Sequence, residues 1–351
     1  MTGVYLHVPF CRRRCDYCDF ATWTDRTHLA ERYLRACRTH AERAAADLPP
    51  ITSVFVGGGT PSLVDPLALL AVFEPLPIRA GAEVTIECNP DDVTLDLLRV
   101  YRDGGVTRIS MGVQSMVPHV LAALGRTHDP ASVRTAVDAA QSLDLDLNLD
   151  LIYGGAGESA ADWERSLDEA IALGPDHVSA YALTVEPGTP LAADPARHPD
   201  DDDQADKYVV ADERLSAAGY GWYEISNWAK PGHECRHNLL YWSQGEYLGI
   251  GCAAHSHRAG RRFWNLRTPE RYVNAVEQGR STEAADERLD PDGRRLEGLQ
   301  LGLRTAGGVP ADAFDDASLE RLDGLVEVDA DRARLTRSGR LLANEVAVHL
   351  R

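Results

Sequence analysis

Three cysteines, Cys11, Cys15 and Cys18, fall in one short segment, Cys11-Arg-Arg-Arg-Cys15-Asp-Tyr-Cys18. Three thiolates in one loop can bind three irons of an iron–sulfur cubane and leave the fourth iron without a protein ligand. That open iron can chelate a small molecule through an amine and a carboxylate. The neighbouring Arg12, Arg13 and Arg14 favour the thiolate form. Structural zinc usually takes four ligands, often as two spaced pairs. His7 could supply a fourth, but it lies on a predicted strand and no second pair follows. A ferredoxin-type cluster needs a fourth cysteine at a usual spacing, and none is there. The chain has seven cysteines, an odd number, which argues against a disulfide framework.

Other residues could hold a polar ligand beside that loop. Gly57-Gly58-Gly59-Thr60-Pro61 follows a short apolar run. Glycines there let a ligand approach the backbone closely, although the same residues also suit a tight strand-to-helix turn. Glu87, Gln114, Arg126 and Asp150 each stand at or just beyond the end of a predicted strand. A carboxylate so placed can accept from hydroxyls or an amine, and an arginine can bind a carboxylate through two parallel hydrogen bonds.

The elements that must position these residues alternate along the chain. Strands are predicted over 4–8, 53–56, 83–87, 108–113, 146–152 and 178–183. Helices are predicted over 28–46, 66–73, 95–101, 131–142, 160–173 and 204–217. Alternation of this kind indicates parallel βαβ units, an α/β fold. Six units suit a partial or complete barrel, whose chemistry sits at the C-terminal ends of the strands. The barrel is expected over residues 1–228 and an irregular connecting region over 229–285. A C-terminal winged-helix-like α+β module is expected over 286–351, with helices at 294–303, 319–325 and 337–350 and a hairpin between the last two.

Composition narrows the function classes. A formal net charge of −18 opposes non-specific binding to polyphosphate, so nucleic acid is not an expected partner. No apolar run approaches the ~20 residues needed to cross a bilayer. The segment Met1 to Phe10 reads as a strand and not as a signal peptide, so a cytoplasmic protein is expected.

The Cys-x3-Cys-x2-Cys spacing, with Tyr17 just before the last cysteine, resembles the radical SAM superfamily. In that superfamily a [4Fe–4S] cluster donates an electron to S-adenosylmethionine and releases a 5′-deoxyadenosyl radical. Further segments are similar to the branch that holds oxygen-independent coproporphyrinogen III dehydrogenase and the heme chaperone HemW. They are Tyr5-Leu-His-Val-Pro-Phe-Cys11, Gly57-Gly-Gly-Thr-Pro-Ser62, Glu87-Cys-Asn-Pro90, Gly112-Val-Gln-Ser115 and Asp150-Leu-Ile-Tyr-Gly154. The resemblance covers nearly the whole chain and implies a partial (β/α)6-type radical SAM barrel. It implies a cluster on Cys11, Cys15 and Cys18. It also implies S-adenosylmethionine contacts from Tyr5, Tyr17, Phe20, Gly58, Gly59, Thr60, Glu87, Gln114, Arg126 and Asp150.

Three features favour the heme chaperones within this branch. Phe20 stands where the dehydrogenases resemble Cys-x3-Cys-x2-Cys-x-Cys. Four residues precede Tyr5, where the dehydrogenases carry a longer covering segment. The segment His237-Asn238-Leu-Leu-Tyr241-Trp242 matches a His-Asn-x-x-Tyr-Trp motif associated with heme binding. A neutral imidazole is a good axial ligand for heme iron. Tyr241 and Trp242 could pack on the macrocycle. Without the resemblance, the same residues read as a hydrogen-bonded core histidine with packing aromatics. Cys235, Cys252, His255 and His257 are further candidate ligands that the sequence does not rank. The implied partners are heme and a heme-acceptor apoprotein such as a membrane-bound respiratory enzyme, and a homodimer is a further expectation. The resemblance leaves open whether S-adenosylmethionine is cleaved. The alternative is a coproporphyrinogen III dehydrogenase, with arginines such as Arg262 or Arg267 holding propionates.

Overall fold

The computed structural model describes residues 1–351. Six parallel strands lie side by side in chain order: β1 (Thr2–Val8), β2 (Ile51–Gly58), β3 (Ile78–Cys88), β4 (Arg108–Gln114), β5 (Asp146–Tyr153) and β6 (His177–Ala182). A hairpin of β7 (Gly221–Glu224) and β8 (Asn227–Ala229) pairs antiparallel with β6. At the other edge β9 (Glu246–Ile250) pairs parallel with β1. From there β10 (His255–Arg258), β11 (Arg261–Asn265) and β12 (Glu283–Arg288) extend the sheet antiparallel. The twelve-stranded sheet does not close on itself, so the architecture is a partial barrel.

The strands are buried on both faces, as helix-covered parallel strands must be. Along β1, Val4, Leu6 and Val8 join a core of 55 buried residues with the surrounding helices. The intervening Gly3, Tyr5 and His7 meet side chains inside the barrel. Local chemistry sets the helix starts. Asp65, Thr94, Asp129 and Asp200 each accept a first-turn N–H, and Ser159 with Asp162 forms a capping box.

Residues 229–285, expected to be irregular, are largely ordered as β9 to β12 and the helices Arg236–Trp242 and Pro269–Glu277. These strands are short and lack apolar alternation; β12 is exposed at all six positions. The terminal segment has its own three-stranded sheet, made of β13 (Val309–Pro310), β14 (Val326–Asp329) and β15 (Arg332–Leu335), in the order β13-β15-β14. Helices Pro291–Leu303, Asp316–Arg321, Arg337–Leu341 and Ala343–Ala347 accompany it around a separate core of 11 residues. The closing helix breaks at Leu342, whose ψ of 28° leaves the helical region. No helix is long and apolar enough to cross a membrane.

Candidate cofactor site

The C-terminal ends of β1 to β6 open into a cavity of about 440 Å3. Cys11, Cys15 and Cys18 all line it, and no thiol in the chain is paired as a disulfide. The loop that carries them is folded tightly, with the Cys18 N–H donating to the Cys15 carbonyl at 3.3 Å. Burial raises the pKa of the Cys11 and Cys18 thiols. Burial outweighs the nearby Arg126 and Arg14, so these thiolates are under-compensated until a cation binds between them. The donor set fits an iron–sulfur cubane: three convergent sulfurs, with no fourth protein thiolate in the loop.

The predicted small-molecule contacts gather around the same space. Tyr17, Phe20, Gly58, Gly59, Thr60, Glu87, Gln114, Arg126 and Asp150 all line the cavity. Thr60 Oγ1 lies 3.7 Å from Cys11 Sγ. Gly58 has φ +109°, and a Cβ there would sit 2.4 Å from the His7 ring. A Cβ on Gly59 would meet the Phe10 carbonyl oxygen at 2.6 Å. The glycine run is thus a close approach of the β2 end to the cysteine loop as well as a turn. Phe20 is 58% exposed at the rim. Gln114 adopts φ 64° where the β4–β5 register shifts, a strained backbone that turns the strand end at the cavity wall.

Arg126 joins the two halves of the site. Its Nη1 lies 3.5 Å from Cys15 Sγ, and Nη2 donates to Asn89 Oδ1 and to the Gly112 carbonyl at 2.8 Å. Its Nε–H is buried without a partner in the chain. A buried unpaired donor of this kind is costly unless a ligand supplies an acceptor. A carboxylate-bearing ligand beside the thiols would do so.

The two carboxyls in the cavity wall have unusual protonation. Burial first, and the nearby Asp150 second, push Glu87 up to about 8, although it accepts the Gly58 N–H at 3.1 Å. Burial also raises Asp150, which accepts from Ser110 Oγ at 3.0 Å and Asn148 Nδ2 at 2.9 Å. Tyr5 does not reach the cavity. It sits one layer below, with its hydroxyl 3.1 Å from His7 Nδ1 and its ring stacked on Phe55.

A polar chain missed by sequence reasoning runs inward from Asp150. Asn148 Oδ1 contacts His177 Nδ1 at 2.6 Å, and His177 Nε2 contacts the Tyr223 hydroxyl at 2.7 Å. That hydroxyl also accepts the Cys235 N–H at 3.4 Å. Asn148 and His177 alternate with apolar residues along β5 and β6, so they could have been suspected from inward-facing polar positions alone. Glu83 completes the chain, accepting the N–H groups of Arg236 at 2.9 Å and His237 at 3.2 Å at the start of helix Arg236–Trp242.

The motif expected to take heme lies on that helix, away from the thiol cavity. His237 is fully buried. Its Nδ1 is 3.0 Å from Ser53 Oγ and its Nε2 is 2.8 Å from the Tyr241 hydroxyl. Burial lowers its pKa to about 3, so the ring is neutral and both nitrogens are engaged. Asn238, Tyr241 and Trp242 are half-buried. The other unranked candidates separate clearly. Cys235 and Cys252 are fully buried and pushed up to about 12 by burial. His257 is buried, with Nδ1 2.9 Å from the Gly245 carbonyl. His255 is exposed, and its pKa is lowered by partial burial. Arg262 is committed to Glu287 and Glu297.

The fold and the thiol-lined cavity define a radical SAM scaffold, and the family model described as the Radical SAM superfamily matches residues 5–170. A solved structure of coproporphyrinogen III oxidase (HemN) from Escherichia coli, described as a radical SAM enzyme, shares the fold with a TM-score of 0.86. It is 24% identical, covering 99% of this chain and 89% of that one. The heme chaperone HemW of Mycobacterium tuberculosis (strain CDC 1551 / Oshkosh) is 44% identical over 364 aligned positions, 98% of this chain and 93% of that protein. The heme chaperone HemW of Escherichia coli (strain K12) is 35% identical, over 98% of this chain and 96% of that protein. The chain belongs to the HemW family of the radical SAM superfamily. Membership of that superfamily implies a [4Fe–4S] cluster and S-adenosylmethionine.

Proposed function

We propose that this protein is a heme chaperone that binds heme and hands it to an acceptor apoprotein, with a [4Fe–4S] cluster on Cys11, Cys15 and Cys18. The observation that carries the cluster assignment is the convergence of three unpaired thiols with Arg126, Glu87, Gln114 and Asp150 on one cavity. Near-full-length similarity to proteins named heme chaperones supports the heme reading.

When bound, the cluster supplies an open iron for an amino-acid chelate and an electron for reductive chemistry. The chain's own residues do the positioning. Arg126 offers its unpaired Nε–H to a carboxylate, Gly58 and Gly59 admit the ligand close to the backbone, and Thr60 donates toward the sulfur of Cys11. Protonated Glu87 can donate to a ligand oxygen, and when ionised it can accept from an amine. Asp150, fixed by Ser110 and Asn148, can take ribose hydroxyls.

Domain roles follow: residues 1–228 hold the cluster and S-adenosylmethionine, 229–285 extend the sheet of the open barrel and carry the heme-binding residues, and 286–351 pack on its flank. The acceptor is a heme-requiring apoprotein. The test is anaerobic reconstitution with iron and sulfide analysis, then hemin titration and transfer to an apo-heme protein. Cluster assembly with transferable heme is expected. Failure to bind heme, or conversion of coproporphyrinogen III to protoporphyrinogen, would overturn the chaperone reading.

A further inference from the structure

Of the five histidine and cysteine candidates in residues 235–257, four are removed from ligation by burial and by the groups they touch; His255 is not. It is exposed, and neither ring nitrogen has a hydrogen-bond partner in the chain. Its ring lies on Trp264 with centroids 5.4 Å apart and planes at 24°, so it is stacked and held rather than loose. His255, Trp264 and Ala285 are in register across β10, β11 and β12 and therefore share one face of the sheet. That row presents an imidazole, an indole and a methyl group on neighbouring strands. At the same end of the sheet, Leu266 accepts the Ala253 N–H. The next residue, Arg267, is exposed and has no ion-pair or hydrogen-bond partner.

We infer that His255 is the axial ligand through which the chain holds its iron porphyrin, with Trp264 fixing the imidazole and Arg267 facing a propionate. This rests on the heme-binding reading above and names the residue that performs it. An open shelf with one axial bond also suits a cargo that must leave. An enclosed pocket would have to unfold locally to release it. Helix Arg236–Trp242 then serves as the floor of the barrel, and His237 is part of its hydrogen bonding.

The test titrates hemin into the full, cluster-loaded chain and follows the Soret band and affinity. His255→Ala and His255→Phe are compared with the unaltered protein; the phenylalanine keeps a flat ring on Trp264 but has no ligating nitrogen. Both variants are expected to lose the imidazole-type spectrum and to bind at least tenfold more weakly while melting normally. Added free imidazole should restore the spectrum of His255→Ala. Unaltered spectra and affinities in both variants would overturn the assignment while leaving heme binding intact. If the unaltered protein binds no heme, the chaperone reading falls, and this inference with it.

Discussion

The protonation of Glu87 is the most exposed consequence of the cavity's chemistry. In an unfolded chain a glutamate titrates near ~4.3, whereas burial and Asp150 push Glu87 up to about 8. The folded state therefore keeps a proton that the unfolded state releases. This group's stability contribution is complete below the unfolded value, declines as pH rises to about 8, and is constant above it. Glu87→Gln should flatten the fall of melting temperature between pH 5 and 8. Some slope should remain, because Asp150 is raised in the same sense. Parallel melting profiles for the two proteins would contradict this. The cysteines, Glu87, Gln114, Arg126 and Asp150 were all legible in the sequence, because strand ends and ligand-type residues coincide there. Tyr5 was legible as a motif residue but not as a neighbour of the cavity. Its distance from the site depends on which way the β1 pleat points its side chain, and His7 lies between.

At the level of elements, the glycine run and the barrel floor carry separate expectations. Gly58→Ala would force φ out of +109° and place a methyl within the His7 ring. The overpacking alone costs about 1–3 kcal/mol, and the left-handed backbone adds about 1 kcal/mol. Denaturant unfolding should show the lower midpoint, and the variant should also bind S-adenosylmethionine weakly; a midpoint equal to wild type would contradict the close approach. His237→Ala removes a ring packed on Phe55 and leaves Ser53 and Tyr241 without their partner. A loss of about 2–4 kcal/mol is expected in urea unfolding, whereas an unchanged midpoint would show that the ring is not structural. The six parallel strands and most helices could be read from apolar runs and caps. Strands β9 to β12 could not. His255–Arg258 reads His-Ser-His-Arg and β12 reads Glu-Ala-Ala-Asp-Glu-Arg, sequences whose strand character comes from pairing with a neighbour rather than from local preference.

At the scale of the molecule, one ion cluster ties the terminal module to the barrel. Asp212, buried on helix Asp201–Ala217, accepts from Arg337 Nε at 2.6 Å, Arg340 Nη1 at 3.0 Å and Trp228 Nε1 at 3.0 Å. Asp212→Ala would leave two arginines facing a lost anion. Amide exchange should then quicken in residues 326–350 while β1 to β5 stay protected; uniform exchange would show that the module does not depend on this contact. The whole arrangement brings three sulfurs to one mouth, and that claim has a direct test. Electron paramagnetic resonance of the reduced, reconstituted protein should show a [4Fe–4S]+ signal. The signal should shift on adding S-adenosylmethionine and should be absent from Cys15→Ser. A signal indifferent to S-adenosylmethionine, or one that survives the loss of Cys15, would contradict the account.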